Sequence, residues 1–203
     1  MTQVKVCGLM RSEDIEAVNA ARPDYAGFVL EHPQSRHNVP LRNLRRLVAE
    51  LNPEIARVGA FVNGPMEVIA GLLSEGVLGA AQLQGTENDE YIGRIRWMTS
   101  HGRIWQAIRV ERLEDVARAH ASRADFVLLD VGLGGARPFD WSLLDAMERP
   151  FGLTGGLALE NLPEALATNA LLADVSDGVE TDGLKDPEKI RAFVERVRAE
   201  PAR

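Results

Sequence analysis

The sequence predicts an α/β protein, a (β/α)8 TIM barrel, on three observations. Short β-rich runs alternate with helical patterns from end to end, and they count as eight strand–helix pairs. Each pair takes about 25 residues, so eight fill nearly all of the 203 without a low-complexity linker. Several strands are apolar without interruption, as in Ala26-Gly27-Phe28-Val29-Leu30 and Phe126-Val127-Leu128-Leu129, the composition of parallel strands buried on both faces. An open doubly wound sheet is the alternative, because the pattern does not count strands around a closure. A single domain over residues 1–203 is expected.

The first strand is predicted over residues 4–7, with Val4 and Val6 alternating, and ends in Cys7-Gly8. A helix over 12–21 follows, with Ile15 and Val18 on one face and Ser12 or Glu13 as its cap. Strand two covers 25–30. The helix over 41–51 repeats Leu41, Leu44, Leu47, Val48 and Leu51 against Arg42, Arg45 and Arg46. Strand three spans 57–62, and its helix over 65–75 has proline in its first turn and stops before Gly76. Strands at 80–83, 104–109, 126–130, 151–154 and 172–175 alternate with helices at 88–99, 112–120, 141–147, 159–167 and 186–198. The last helix carries Ile190, Phe193, Val194 and Val197 at helical spacing.

Composition narrows the function. The chain is 45% hydrophobic and 26% charged, as in ordinary globular proteins. A formal net charge of -7 argues against nucleic acid as a partner, whose binding surface would be basic. No apolar run approaches the roughly 20 residues that span a bilayer, so no membrane partner is expected. The start runs straight into a strand without signal-peptide features. Cys7 is the only cysteine, which excludes an internal disulfide and points to a reducing, cytoplasmic location.

In either architecture, function sits in the loops after the carboxyl ends of the strands. Cys7 ends strand one, where a lone thiol can be either a reactive group or a small buried hydrophobe. After strand two comes a polar loop with Arg36, and strand four ends in Gln82-Leu83-Gln84-Gly85. Strand six ends in Asp130, either a solvated strand-end carboxylate or a partly buried acid behind its apolar lead-in. Gly155-Gly156 after strand seven and Gly178 after strand eight leave backbone N–H groups free for an anion, and loops seven and eight of barrels often bind phosphate. Such glycines can also serve tight turns alone. Gly132-Leu133-Gly134-Gly135 is a weak dinucleotide-loop signal, since Arg137 stands at the third glycine position. Cys7 and Asp130 form a plausible acid–base pair for proton transfer within a phosphorylated sugar, with no cofactor. No HxH, HExxH or CxxC spacing occurs, so no metal is expected.

Lys5-Val6-Cys7-Gly8-Leu9, Gly27-Phe28-Val29, Ser35-Arg36, Val58-Gly59-Ala60-Phe61-Val62-Asn63, Gln82-Leu83-Gln84-Gly85, Leu128-Leu129-Asp130, Phe139-Asp140-Trp141, Gly155-Gly156-Leu157 and Asp174-Val175-Ser176-x-Gly178-Val179-Glu180 together resemble the phosphoribosylanthranilate isomerase family. The motifs follow family order and span nearly the whole chain. The resemblance implies a (β/α)8 barrel that performs an Amadori rearrangement in tryptophan biosynthesis. By it, Asp130 would be the general acid and Cys7, as thiolate, the general base. Arg36 would pair with the anthranilate carboxylate, and Gly155, Gly156 and Gly178 would hold the phosphate. Gln84 would contact substrate, Lys5 could favour the Cys7 thiolate, and the protein would be a monomer or homodimer. Three positions depart from the family pattern. Gln84 stands where histidine is usual, Gly134-Gly135-Ala136-Arg137-Pro138 loses a hydroxyl and a glycine, and Asp177 replaces the second of paired serines. A carboxylate at 177 must face away from the phosphate, pair with Arg137 or another cation, or mark a changed ligand. A divergent paralogue acting on another sugar phosphate, or a non-catalytic phosphate-binding barrel, is the alternative function.

Overall fold

A computed structural model describes residues 2–132 and 139–199. The departures read at Gly134, Gly135, Ala136, Arg137 and Pro138 lie outside the described residues. Eight parallel strands, β1 (Gln3–Val6), β2 (Tyr25–Val29), β3 (Ala56–Phe61), β4 (Ala80–Leu83), β5 (Arg103–Arg109), β6 (Phe126–Asp130), β7 (Phe151–Thr154) and β8 (Leu172–Val175), form a closed barrel in chain order. β1 closes it by pairing with both β2 and β8. The open doubly wound alternative is thereby excluded.

Strand alternation explains the uninterrupted apolar runs. Val4, Val6, Phe28, Leu129 and Val175 belong to the large core shared with the helices. Their neighbours in the strands point into the barrel. At its floor Val58, Ala80, Trp105, Leu128 and Leu172 pack together, with Trp105 edge-on to Tyr25 at 4.9 Å between ring centroids. Burial on both sides leaves no room for polar alternation.

The helices α1 (Ser12–Ala21), α2 (Leu41–Glu50), α3 (Met66–Ser74), α4 (Asp89–Met98), α5 (Leu113–Ala121), α6 (Leu162–Leu166) and α7 (Pro187–Arg198) cover the outside. α7 buries Ile190, Phe193, Val194 and Val197, each worth about 1.5–3 kcal/mol of transfer free energy. Its N-terminus is capped by Asp186, which accepts from the Glu188 and Lys189 amides. The start of α1 is held differently from expectation. Asp14 Oδ2 accepts the Met10 and Arg11 amides, and Arg11 is the N-cap.

Two expected helices are altered and one hairpin is new. Trp141–Ala146 is a 3-10 turn, closed by i→i+3 bonds from Leu143 to Asp140 and from Met147 to Leu144. Only Leu144 of this stretch is buried, so an apolar stripe that would favour α geometry is missing. α6 begins at Leu162 rather than 159, because Pro163 is tolerated only in a first turn. Asn161 folds the preceding residues back, donating to Gly156 O and accepting from Ala158 N at 2.9 Å each. After β8 the chain forms a hairpin of β9 (Glu180–Thr181) and β10 (Leu184–Lys185). Its turn is Asp182-Gly183, both at positive φ, as a type I′ turn requires.

Candidate active site

The carboxyl ends of β4 to β8 open into one cavity of about 1040 Å³. Gln84, Asp130, Gly155, Gly156 and Asp177 line it, so the structure brings five of the residues singled out from sequence together. Arg109, Thr154, Asp174 and Ser176 join them in its wall. Asp130 ends β6 with its side chain 35% exposed, the partly buried acid rather than the fully solvated one. Its Oδ1 accepts from Arg109 Nη1 and from the Gly132 amide, each at 3.0 Å.

Cys7 stands just behind this wall. It is buried beside Val29 and Ala60, and a Cβ on Gly27 would come within 2.7 Å of its Sγ. Ser176 Oγ donates to the Cys7 carbonyl at 3.3 Å, which ties the ends of β1 and β8. One alternation below Cys7, Lys5 points into the barrel with no solvent exposure. In register with it on β8 is Asp174, whose two carboxylate oxygens each lie 2.9 Å from Lys5 Nζ. Burial alone would lower the Lys5 pKa; the charge of Asp174, with Cys7 adding to it, raises it instead. The ammonium is therefore held by Asp174, with Cys7 close by. Thr154 Oγ1 and Gln82 Nε2 complete the Asp174 shell at 3.2 and 3.4 Å, and Gln82 Nε2 also reaches Gln84 Oε1 at 3.4 Å.

Gly155 and Gly156 adopt φ of +91° and +83°. A Cβ at Gly155 would sit 1.8 Å from Asp130 Oδ1, so this glycine also makes room for the acid. Gly178 bridges to Ala158 beyond β7, and a Cβ there would meet Leu157 O at 1.9 Å. Among the described residues, no backbone hydrogen bond engages the amides of Gly155, Gly156 or Asp177. Unpaired amides of this kind suit an oxyanion.

Arg36 does not face this cavity. It donates to Glu180 Oε2 at 2.7 Å and lies 3.1 Å from Asp177 Oδ1, joining the loop after β2 to the loop after β8. Asp177 thus takes the outcome in which a cation other than Arg137 neutralises it. Glu180 also meets His37 Nε2 at 2.8 Å and, across the hairpin, Lys185 Nζ at 2.7 Å. Burial would raise the Glu180 pKa, but the Lys185 hydrogen bond and charge, with His37 and Arg36, hold it below its ordinary value. His37, Asp177 and Glu180 bring possible ligand atoms within 4.8 Å of one another. Arg36 and Lys185 already supply the positive charge there, which disfavours a bound cation.

Asp174, Glu180, Lys185 and Arg109 carry site structure that the residues alone did not announce. For Arg109 a signal existed: it is the last residue of β5, as Asp130 is the last of β6.

Comparison with known proteins agrees with this architecture. The family model described as N-(5'phosphoribosyl)anthranilate (PRA) isomerase matches residues 4–196. An N-(5'-phosphoribosyl)anthranilate isomerase of Acetivibrio thermocellus is 41% identical over 98% of this chain and 96% of its own. One from Clostridium acetobutylicum is 37% identical over 98% of both chains. The crystal structure of the Thermotoga maritima enzyme superposes with a TM-score of 0.87 at 33% identity, covering 98% of this chain and all of its own (100%). A phosphoribosyl anthranilate isomerase solved with reduced 1-(o-carboxyphenylamino)-1-deoxyribulose 5-phosphate matches at a TM-score of 0.85 and 33% identity, over 98% of this chain and 100% of that one. With motifs, barrel and comparisons in agreement over nearly its whole length, the chain belongs to the phosphoribosylanthranilate isomerase family.

Proposed function

We propose that this chain converts N-(5-phosphoribosyl)anthranilate to 1-(2-carboxyphenylamino)-1-deoxyribulose 5-phosphate in tryptophan biosynthesis. The observation that carries the reading is the juxtaposition, at one barrel end, of a partly exposed acid, a glycine-built anion seat and a thiol beside a buried ammonium. Asp130 protonates the ribose ring oxygen as the C1–O bond breaks, and the anilino nitrogen lone pair forms the C=N bond. Cys7, as thiolate with Lys5 near it, removes the C2 proton, and the electron pair moves to give the enolamine. Tautomerisation then yields the ketone. Each bond change is coupled to a proton transfer and none changes the net oxidation state, so the chain's own acid and base suffice without a cofactor.

The phosphate sits on the amides around Gly155, Gly156 and Gly178. Arg36 takes the anthranilate carboxylate by exchanging Asp177 for it, since Asp177 is the more exposed of its two carboxylate partners (70% against 5% for Glu180). Gln84 borders the sugar. All of these residues come from one chain, so the site serves a monomer and a homodimer alike; the Thermotoga maritima relative is described as dimeric and has been solved as monomers. Among the described residues no helix is long and apolar enough to cross a membrane, and we read the location as cytoplasmic. The test is the fluorescence decay of freshly generated phosphoribosylanthranilate on adding the protein, with rescue of a tryptophan auxotroph lacking this step. Decay no faster than without protein, and no rescue, would overturn the assignment.

A further inference from the structure

Arg109 and Asp130 are direct neighbours in the β5–β6 register, and both end their strands facing the barrel mouth. Asp130 Oδ1 accepts two hydrogen bonds, from Arg109 Nη1 and the Gly132 amide, at 3.0 Å each. Around that oxygen the backbone is stripped of side chains. A Cβ on Gly155 would fall 1.8 Å from it, and a Cβ on Gly132, at φ +54°, would fall 1.8 Å from Arg109 Nη1 and 2.0 Å from its Cζ. The guanidinium thus lies directly over Gly132, whose positive φ favours glycine. Arg109 is also held from behind, where Arg118 donates to its carbonyl at 3.4 Å and Glu111 approaches its Nε at 3.6 Å. No described residue bonds Asp130 Oδ2.

We infer that Arg109 is the positioning residue of the general acid. With the Gly132 amide it occupies Oδ1, so the proton to be donated is carried on Oδ2. A proton on Oδ1 would face two donors at hydrogen-bond distance, which is repulsive, whereas Oδ2 has no competing donor among the described residues. When the Oδ2–H bond breaks and the proton passes to the ribose ring oxygen, the C1–O bond breaks and its electron pair goes to that oxygen. The negative charge left on Asp130 then spreads onto the oxygen that Arg109 already faces. The guanidinium therefore strengthens the acid at the moment of transfer and keeps the carboxyl from rotating. This inference rests on the isomerase reading and adds a residue that substrate need not touch.

The test is steady-state kinetics of Arg109→Ala, Arg109→Lys and Asp130→Asn, with Arg109→Ala/Asp130→Asn closing a double-mutant cycle. Arg109→Ala should lower kcat about 10- to 100-fold while KM for phosphoribosylanthranilate stays within about twofold. Added guanidinium ion should restore part of the rate to Arg109→Ala, and Arg109→Lys should keep part of it. In the Asp130→Asn background, Arg109→Ala should cost nothing further, because its effect passes through the carboxyl. A raised KM with unchanged kcat, or equal losses in both backgrounds, would overturn the inference while the wild-type activity stands. Loss of the wild-type activity itself would instead overturn the isomerase reading. If Arg109→Ala fails to fold, the Arg109→Lys and Arg109→Gln rates in both backgrounds decide by the same criteria.

Discussion

The ammonium of Lys5 lies 2.9 Å from both carboxylate oxygens of Asp174, in the barrel interior, with side-chain exposures of 0% and 3%. Adjacent strands place the two residues in register, so the pair is a consequence of barrel closure. Removing one partner leaves an unpaired buried charge. Lys5→Met is expected to cost about 3–5 kcal/mol in denaturant unfolding, and Lys5→Met/Asp174→Leu less than that. A cost for Lys5→Met below about 1 kcal/mol would show that water reaches the pair.

Cys7→Ala and Asp130→Ala should each reduce kcat by at least about two orders of magnitude with the fold retained, the usual scale for a general base or acid. Initial rates with phosphoribosylanthranilate, together with circular dichroism, check this. Full activity in either variant removes that residue from the chemistry.

The two loop glycines should fail in different ways. In Gly155→Ala the new Cβ collides with Asp130 Oδ1, so kcat should drop. In Gly178→Ala it collides with the Leu157 carbonyl and pushes apart the two loops proposed to hold the phosphate, so KM should rise. The same kinetic split in both variants would mean that they act through general destabilisation.

In the proposed exchange, Asp177 competes with substrate for Arg36, to which it is joined by an exposed ion pair. Exposed pairs contribute about 0–1 kcal/mol, so Asp177→Ser should lower KM by up to about fivefold and leave kcat unchanged. Steady-state kinetics in low salt provides the measurement, and an increase in KM would contradict the exchange.

Acid should weaken the rim through Glu180. Its folded-state pKa lies below the ordinary value, because Lys185, His37 and Arg36 outweigh the effect of burial. The carboxylate therefore stabilises the fold in full above its unfolded pKa of about 4.3, and that contribution fades as pH falls through the folded value. The stability gap between wild type and Glu180→Gln should shrink steadily below about pH 4. A gap that stays constant in urea titrations from pH 7 to pH 3 would show that Glu180 does not titrate with folding.

The architecture was largely legible because its determinants are local. Strands buried on two faces must be apolar throughout, and amphipathic helices must carry one apolar face, so all eight strands and six of the eight helices are legible to within a residue or two. Where the local pattern was thin it misled. With one buried residue, Trp141–Ala146 had no stripe to hold an α-helix, and Pro163 moved the start of α6. The β9–β10 hairpin carries no readable strand pattern despite its Asp182-Gly183 turn, being only two residues long on each side.

By itself, then, the sequence determined which residues end strands, and hence that Cys7, Gln84, Asp130, Gly155 and Gly156 stand at the functional end of a barrel. Only the tertiary structure decided how those groups are partnered. Lys5 finds Asp174 across 169 residues, Arg36 turns to Asp177 and Glu180, and Arg109 meets Asp130. The Lys5–Asp174 and Arg109–Asp130 pairs follow from closure and register, and the Arg36 pairs from loops that the closed barrel brings together at one rim; none of these leaves a mark in either segment's own pattern.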